Sequence, residues 1–242
     1  VPAQSGSNRI LKLMNRGYTV EEYREFIART LAKLPDVSIA GDIIVGFPTE
    51  TDEDFQATVD LVRSVPYKNN FIFKYSPRPG TVAIDRFVDD VPNEVKKYRN
   101  NHLLAVQSEV STAVHRQWVG RMVEVLVEGK SKAALDQSDE DSSDISLATA
   151  GQSKSALVEL RILGAAPQRG LEPPTTDSSI RSTDRAERTR SGSTQMVGRT
   201  PGDLITFFDC PQDLNPEALV GRIVPVLVTG SGSLLLQGSL AK

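Results

Sequence analysis

Three short phrases carry side chains suited to holding a polar ligand: Gln4-Ser5-Gly6-Ser7, Gly46-Phe47-Pro48 and Tyr75-Ser76-Pro77-Arg78. Gln4 and Ser5 offer neutral donors and acceptors for a sugar hydroxyl or an amino-acid group. Gly46 lets a ligand approach the backbone, and Ile44 or Phe47 can pack on a flat base. Arg78 is always charged, is held between two prolines, and suits a phosphate or carboxylate. Each phrase alone has a plain structural reading: Ser7 as a helix cap, Gly-Phe-Pro as a turn, Pro-Arg-Pro-Gly as a stiff loop. Their weight comes from falling together where parallel strands should end, because ligands of α/β sheets bind outside the carboxyl ends of the strands.

Other chemistries find little support. Cys210 is the only cysteine, which excludes an internal disulfide and any site of clustered cysteine ligands. It stands beside Phe207 and Phe208 and reads as a packing residue. His102 and His115 have no acidic or cysteine cluster nearby and read as helix-surface residues rather than metal ligands.

The elements that must position the three phrases alternate between helix and strand. Ser7 can cap a short helix from Asn8 to Met14. Thr19-Val20-Glu21-Glu22 is a capping box. After it, Tyr23, Phe26, Ile27, Thr30, Leu31 and Leu34 repeat at the spacing of a one-faced helix, and Pro35-Asp36 stops it. Val37 to Val45 is β-branched and of strand length. Its continuous Ile43-Ile44-Val45 predicts a strand covered on both faces. A helix from about Asp52 to Ser64, with Thr51 as N-cap, buries Phe55, Val59 and Val62. A strand from Asn70 to Tyr75 leads into the Arg78 loop. Pro92 then starts a long helix with Val95, Tyr98, Leu103, Val106, Val110 and Val114 as its stripe. The order argues for parallel βαβ units.

From Trp118 the pattern changes. Gly120 to Gly129 alternates, with Val123, Val125 and Val127 on one face and Glu124, Leu126 and Glu128 on the other, and Gly221 to Gly230 repeats the phrase. With further short strands at Asp203 to Phe208 and Leu234 to Leu240, four or five strands suggest a small antiparallel barrel. Between the repeats, about residues 130–195 are rich in Ser, Thr, Asp, Gly and Ala, with acidic residues at Asp136 to Asp144 and basic ones at Arg181 to Arg190. That composition predicts a disordered loop insertion, solvated rather than RNA-bound, with Leu157 to Leu163 as one possible strand.

A chain of 242 residues with net charge −3 has room for one or two domains and no global basic field. No apolar run approaches the ~18–20 residues of a membrane helix. No signal peptide is visible, so a cytoplasmic protein is expected. The chain opens on Val1-Pro2-Ala3-Gln4 without an initiator Met, which suggests a truncated form.

Taken in order, Gln4-Ser5-Gly6-Ser7, Leu13-Met14-Asn15-Arg16-Gly17-Tyr18-Thr19, Asp42 to Thr51 and Tyr75 to Thr81 resemble the radical-SAM methylthiotransferases, and most closely their tRNA-acting branch. The terminal barrel, with Gly198-Arg199-Thr200, resembles the TRAM RNA-binding domain that ends that family. The resemblance covers roughly residues 1–129 and 196–242. It implies a C-terminal part of a radical-SAM partial (β/α) barrel over 1–116, then a TRAM-like barrel over 117–242. It also implies the family's activity, the addition of a methylthio group to C2 of an isopentenylated adenine beside the tRNA anticodon, at position 37. The implied cofactors are S-adenosylmethionine (SAM) and two [4Fe–4S] clusters, whose ligands would lie upstream. The implied partners are tRNA, an external electron donor and a sulfur source, with a monomeric protein and no membrane.

By position, Gln4, Ser5 and Arg16 match SAM-contacting phrases, and Asp42, Ile44, Gly46 and Phe47 match the strand whose end faces the adenine. Arg78, Arg199 and Thr200 are implied RNA contacts. No residue of this chain is implied as a catalytic group or metal ligand, so the chain alone is expected to be inactive. Ala3 replaces the family's usual Val, and Thr49 its usual Gly, at a turn where glycine tolerates positive φ and threonine resists it. Two other readings stand beside this one: a methylthiotransferase acting on a ribosomal-protein aspartate, and an RNA-binding protein without catalysis.

Overall fold

The computed structural model describes residues 1–131 and 193–241. The acidic and basic clusters and the Leu157 to Leu163 strand expected from the sequence lie outside them. The edges of that insertion are ordered strand, since Lys130 ends one barrel strand and Thr194 begins the next.

Helix starts are set by side chains that satisfy the first backbone N–H groups. Ser7 caps α1 (Asn8–Leu13). The Thr19 hydroxyl accepts from Glu22 N–H at 3.2 Å, and the Glu22 carboxylate accepts from Thr19 N–H at 2.8 Å, opening α2 (Val20–Lys33). Thr51 and Asp54 form the same reciprocal pair at the start of α3 (Asp52–Ser64). Between these helices, β1 (Ile39–Val45) and β2 (Tyr67–Lys74) pair in parallel. Gln4 adds a parallel bridge to Ile43 on the free side of β1. A short α4 (Val82–Arg86), not expected from the sequence, follows the Arg78 loop.

All the long helices lie on one face of this sheet. Ile43 and Val45 pack against Phe55, Val59 and Val62 of α3 and against Leu103 and Val106 of α5 (Asn93–Arg116). Ile39 and Tyr67 pack with Val20, Tyr23 and Ile27 of α2. The expected stripes are only partly the buried ones. Phe26 of α2, Leu34 at its C-cap and Tyr98 of α5 are exposed. Helix α5 instead buries Lys96, Arg99, Gln107, Ser111 and His115. These polar side chains are paired: Lys96 with Asp89, Arg99 with Glu50, and Gln107 with Asn70 and Ser111. Pairing removes most of the desolvation penalty that otherwise keeps such residues outside. His115, expected on the helix surface, is buried and sits 2.8 Å from the Gly232 carbonyl.

The second half is a closed barrel in the order β3-β4-β5-β7-β6, with β3 (Met122–Lys130), β4 (Thr194–Arg199), β5 (Ile205–Cys210), β6 (Ile223–Ser231) and β7 (Leu235–Leu240). Its strands are antiparallel except at one seam, where β5 and β7 run parallel, which corrects the all-antiparallel expectation. The repeated phrases pair with each other, Met122 with Leu227 and Leu126 with Ile223. Val123, Val125 and Val127 face Val224, Val226 and Val228 in the core, together with Met196, Phe208 and the expected packing residue Cys210.

Candidate functional site

The three phrases leave one edge of one sheet. Gln4 N–H donates to Asp42 O at 2.8 Å and Ile44 N–H donates to Gln4 O at 2.9 Å, so Gln4 ends a third parallel track beside β1. Tyr75 N–H donates to Val45 O at 2.8 Å, which keeps the next phrase at the same edge. Gln4 has φ 64°, a conformation costly for a residue with a side chain. Its Oε1 accepts from Arg16 at 3.0 Å, which brings together two residues that the sequence separates by a helix. The Gln4 amide nitrogen makes no hydrogen bond among the described residues.

Ser5 is buried, and its hydroxyl is shared with Thr58 at 3.3 Å and accepts from Ser7 N–H at 3.2 Å. It therefore shapes the phrase from below. Gly6 packs so closely on α3 that a Cβ would overlap the Ala57 carbonyl and the Thr58 backbone. Ser7 donates to Asp54 at 2.5 Å, and Arg9 makes an ion pair with the same carboxylate. The Arg9 guanidinium and the Ser7 and Thr51 groups hold the Asp54 carboxyl well below the usual range, outweighing its partial burial.

Strand β1 is not covered on both faces. Its burial alternates, with Ile39, Gly41, Ile43 and Val45 under the helices and Ala40, Asp42 and Ile44 half-open. On the open side Asp42 pairs in register with Phe71, and Ile44 with Phe73. Phe71 is 56% and Phe73 53% exposed. An uncovered pair of phenyl rings beside a carboxylate and the Gln4 amide makes a flat apolar platform with polar groups at its margin. Phe71 and Phe73 were not among the site residues expected from the sequence. The signal was present in Asn69-Asn70-Phe71-Ile72-Phe73, whose alternation puts both rings on one face.

The turn after β1 is built for rigidity. Gly46 has φ 72°, and a Cβ there would collide with the Lys96 side chain, so glycine serves the turn and the packing below it. Phe47 is buried, edge-on to Tyr75 at 5.1 Å and to Phe87 at 5.7 Å. Ile44 is thus half-open where Phe47 is buried, and Phe47 supports the rim. Thr49 adopts φ 67°, a conformation that glycine tolerates and threonine resists. It is held there by Asp90, which accepts from its N–H at 2.7 Å, and by Arg9, which donates to its carbonyl at 2.6 Å. The fully buried Glu50 accepts from Gly46 N–H at 2.7 Å and from Arg99 at 2.7 Å. Burial pushes the Glu50 carboxyl up, against the pull of Gly46 N–H and Arg99.

Arg78 lies exposed in the loop beyond β2, and its guanidinium makes no ion pair among the described residues. The other expected RNA contacts lie on the barrel. Arg199 donates to Glu128 at 3.0 Å and to Asp203 at 2.6 Å, and its remaining terminal nitrogen has no hydrogen-bond partner among the described residues. Thr200 is buried, and its hydroxyl accepts from Leu204 N–H at 3.1 Å, so it fixes the turn that carries Arg199's partner. That turn meets the start of β2, where Lys68 reaches Asp203. At ~3.3 Å per residue, β2 separates its two ends by roughly 20 Å. The barrel contacts and the Arg78 loop therefore flank the open platform from opposite ends.

Among the described residues no group of three or more His, Cys, Asp or Glu could hold a metal ion. Cys210 is buried in the barrel core, and burial pushes its thiol pKa up. No helix among the described residues is long and apolar enough to cross a membrane.

Residues 1–62 match the family model of the Radical SAM superfamily. The chain is similar to a tRNA-2-methylthio-N(6)-dimethylallyladenosine synthase of Rhodopirellula baltica, 54% identical over 141 residues, which is 58% of this chain and 29% of that protein. It is 47% identical over 135 residues to the synthase so named in Pseudothermotoga lettingae, covering 56% of this chain and 31% of the relative. It is 48% identical over 135 residues to that of Thermotoga petrophila, covering 56% and 30%. The chain therefore spans about 30% of the length of the curated relatives it matches. The resemblance to the radical-SAM methylthiotransferases, drawn from the phrases and their order, is borne out over this part of the chain.

Proposed function

We propose that this chain is part of a radical-SAM tRNA methylthiotransferase, supplying one side of the SAM and adenine pocket and the RNA-binding barrel. The observation that carries the reading is the open platform of Ile44, Phe71 and Phe73 under the strand-end phrases. In this reading residues 1–116 are the C-terminal part of the radical-SAM core, and 117–242 are a TRAM-like barrel with its insertion. The modified nucleoside is N6-isopentenyladenosine at position 37, converted to its 2-methylthio form.

The residues present fit an adenosyl group. Asp42 can accept from ribose hydroxyls, the Gln4 amide nitrogen can donate, and Arg16 holds that amide in place. Ile44, Phe71 and Phe73 offer apolar surface to a flat base. Ser5, Gly46 and Phe47 fix the backbone of the rim. SAM, when bound, supplies the methyl group and the radical chemistry of its family. An iron–sulfur cluster is held by cysteine thiolates, and the single buried Cys210 does not fit that role. In this reading the clusters belong to other parts of the relatives' length, and reductant and sulfur come from outside. The protein works as a monomer in the cytoplasm, where its tRNA is.

A ribosomal-protein aspartate is the second reading. The names of the relatives, all tRNA-2-methylthio-N(6)-dimethylallyladenosine synthases, favour tRNA over it.

Arg78 and Arg199 are the proposed phosphate contacts, with Thr200 shaping the turn beside Arg199. The test is tRNA binding by the chain across a salt series. Arg78→Ala and Arg199→Ala should each weaken binding and reduce the slope of log K against log salt by about 1. Unchanged slopes in both variants would remove the barrel and loop from the RNA interface.

A further inference from the structure

We propose that Lys68, on the strand that carries Phe71 and Phe73, is a positioning residue for RNA binding by Arg199, acting through Asp203. The inference rests on the reading of Arg199 as a phosphate contact and adds the device that sets it against the sheet.

The device begins with an irregularity in β2. Ile39 pairs with Tyr67 and Ala40 pairs with Asn69, so Lys68 is an extra residue with no partner across the ladder. A bulge of this kind re-aims a side chain out of the strand's regular alternation. Here it sends Lys68 to the barrel, where its Nζ donates to Gly202 O at 3.0 Å, to Asp203 O at 2.8 Å and to Asp203 Oδ2 at 2.8 Å. The side chain is only 12% exposed, so the contact is a built one.

The turn it grips is demanding. Asp203 has φ 58°, Asp203 N–H donates to Thr200 O at 2.8 Å, and a Cβ on Gly202 would meet the Ser38 side chain. Lys68 occupies the carbonyls of this turn and one carboxylate oxygen. The other carboxylate oxygen takes Arg199 at 2.6 Å, while Glu128 takes the Arg199 Nε at 3.0 Å. Arg199 is thereby held on two sides, and among the described residues its Nη2 makes no hydrogen bond, which leaves N–H donors for a phosphate. Both cations also keep the Asp203 carboxyl below its usual range.

Charge makes the linkage consequential. Lys68 and Arg199 balance Glu128 and Asp203, so the cluster is neutral as built. Without Lys68 it is net negative beside the phosphate it must receive, and the turn loses its three-fold grip. Because Lys68 belongs to the platform strand, RNA held at Arg199 is placed in fixed register with Phe71 and Phe73.

The experiment is fluorescence anisotropy of tRNA binding to the whole 242-residue chain across a salt series. It compares Lys68→Met, Lys68→Gln, Lys68→Arg, Arg199→Ala and the Lys68→Met/Arg199→Ala double variant. Lys68→Gln keeps a donor to the turn and guards against a variant that does not fold. Expected are losses of roughly 5-fold for Lys68→Met, Lys68→Gln and Arg199→Ala, each with a salt slope lowered by about 1. The double variant should bind within about 2-fold of Arg199→Ala, since neighbours acting through one contact are not additive, and Lys68→Arg should restore binding. Losses that multiply in the double variant, or unchanged binding in both neutral Lys68 variants while Arg199→Ala binds weakly, would overturn the linkage. No effect of Arg199→Ala would overturn the premise, the phosphate role of Arg199, and leave the fault there rather than at Lys68.

Discussion

Asp42 and Phe71 stand opposite each other in parallel register, a carboxylate and a half-exposed phenyl ring on the sheet face away from the long helices of the described residues. Phe71 and, two residues on, Phe73 belong to none of the three apolar cores of the described residues. Phe71→Ala and Phe73→Ala should therefore change the stability of this chain by no more than about 0.5 kcal/mol, as surface substitutions do. In a full-length enzyme carrying this segment they should weaken substrate or SAM binding by about 1–3 kcal/mol each, the range for loss of base stacking. Urea denaturation of the chain and ligand titration of the enzyme separate the two effects. A large loss of stability with unchanged binding would make the rings structural.

Thr49 is a β-branched residue at φ 67°, a conformation that costs of order 1–3 kcal/mol. Its hydroxyl recovers part of that through Arg9 at 3.1 Å. Thr49→Gly relaxes the backbone and keeps the N–H to Asp90 and the carbonyl to Arg9. We expect it to raise stability by about 1 kcal/mol, with Thr49→Ala giving no gain because alanine keeps the Cβ. The midpoint of urea unfolding reads both, and a destabilised Thr49→Gly would contradict the strain.

Glu50 and Arg99 form a buried pair that ties the Gly46 turn to α5. Removing one partner of such a pair strands the other without compensation, at about 3–5 kcal/mol. Arg99→Met should pay most of that cost. Glu50→Gln should cost less, because the amide oxygen still accepts from Gly46 N–H and Arg99 keeps Asp52 at 2.7 Å. Equal losses in the two variants, measured by denaturant unfolding, would contradict this order.

His115 joins α5 to the barrel. Its Nδ1 faces the Gly232 carbonyl, which only accepts, so the proton sits on Nδ1. Burial, aided by the nearby Lys68 charge, lowers its pKa despite the Gly232 contact. The folded pKa lies below the unfolded one, so the unfolded chain takes up the proton first. The contribution to stability is then full above about pH 6.5 and is lost as pH falls through that value toward the folded pKa. His115→Asn keeps a donor toward Gly232 and should remove this part of the acid sensitivity. An unfolding free energy whose slope between about pH 7 and 5 is the same in both proteins would refute it.

Much of this fold was legible in the sequence because the signals were local. The Thr19 and Thr51 caps, the Val123-Val125-Val127 alternation and its repeat at Val224-Val226-Val228 depend only on neighbours. The strand-end phrases were legible because βαβ order fixes which edge they share. What escaped was set by distant partners. Ile43-Ile44-Val45 reads as doubly covered, yet only contacts across the sheet decide that Ile44 stays open. His115 reads as a surface residue until Gly232 is brought against it, and nothing local marks Lys96 and Arg99 as buried before Asp89 and Glu50 are in place. Arg199 was legible as a basic residue in a barrel phrase, but its restraint by Glu128 and Asp203 and the reach of Lys68 across the junction were not.

If this chain is part of a tRNA methylthiotransferase, it should serve inside a working enzyme. The matching segment of the Rhodopirellula baltica synthase is replaced by this chain, the chimera is given SAM, reductant, a sulfur source and tRNA bearing N6-isopentenyladenosine, and the digested nucleosides are measured by mass spectrometry. The chimera should yield the 2-methylthio nucleoside and lose it when Asp42→Ala and Phe71→Ala are combined there. A folded, cluster-loaded chimera that leaves the tRNA unmodified, or full activity after that double change, would contradict it.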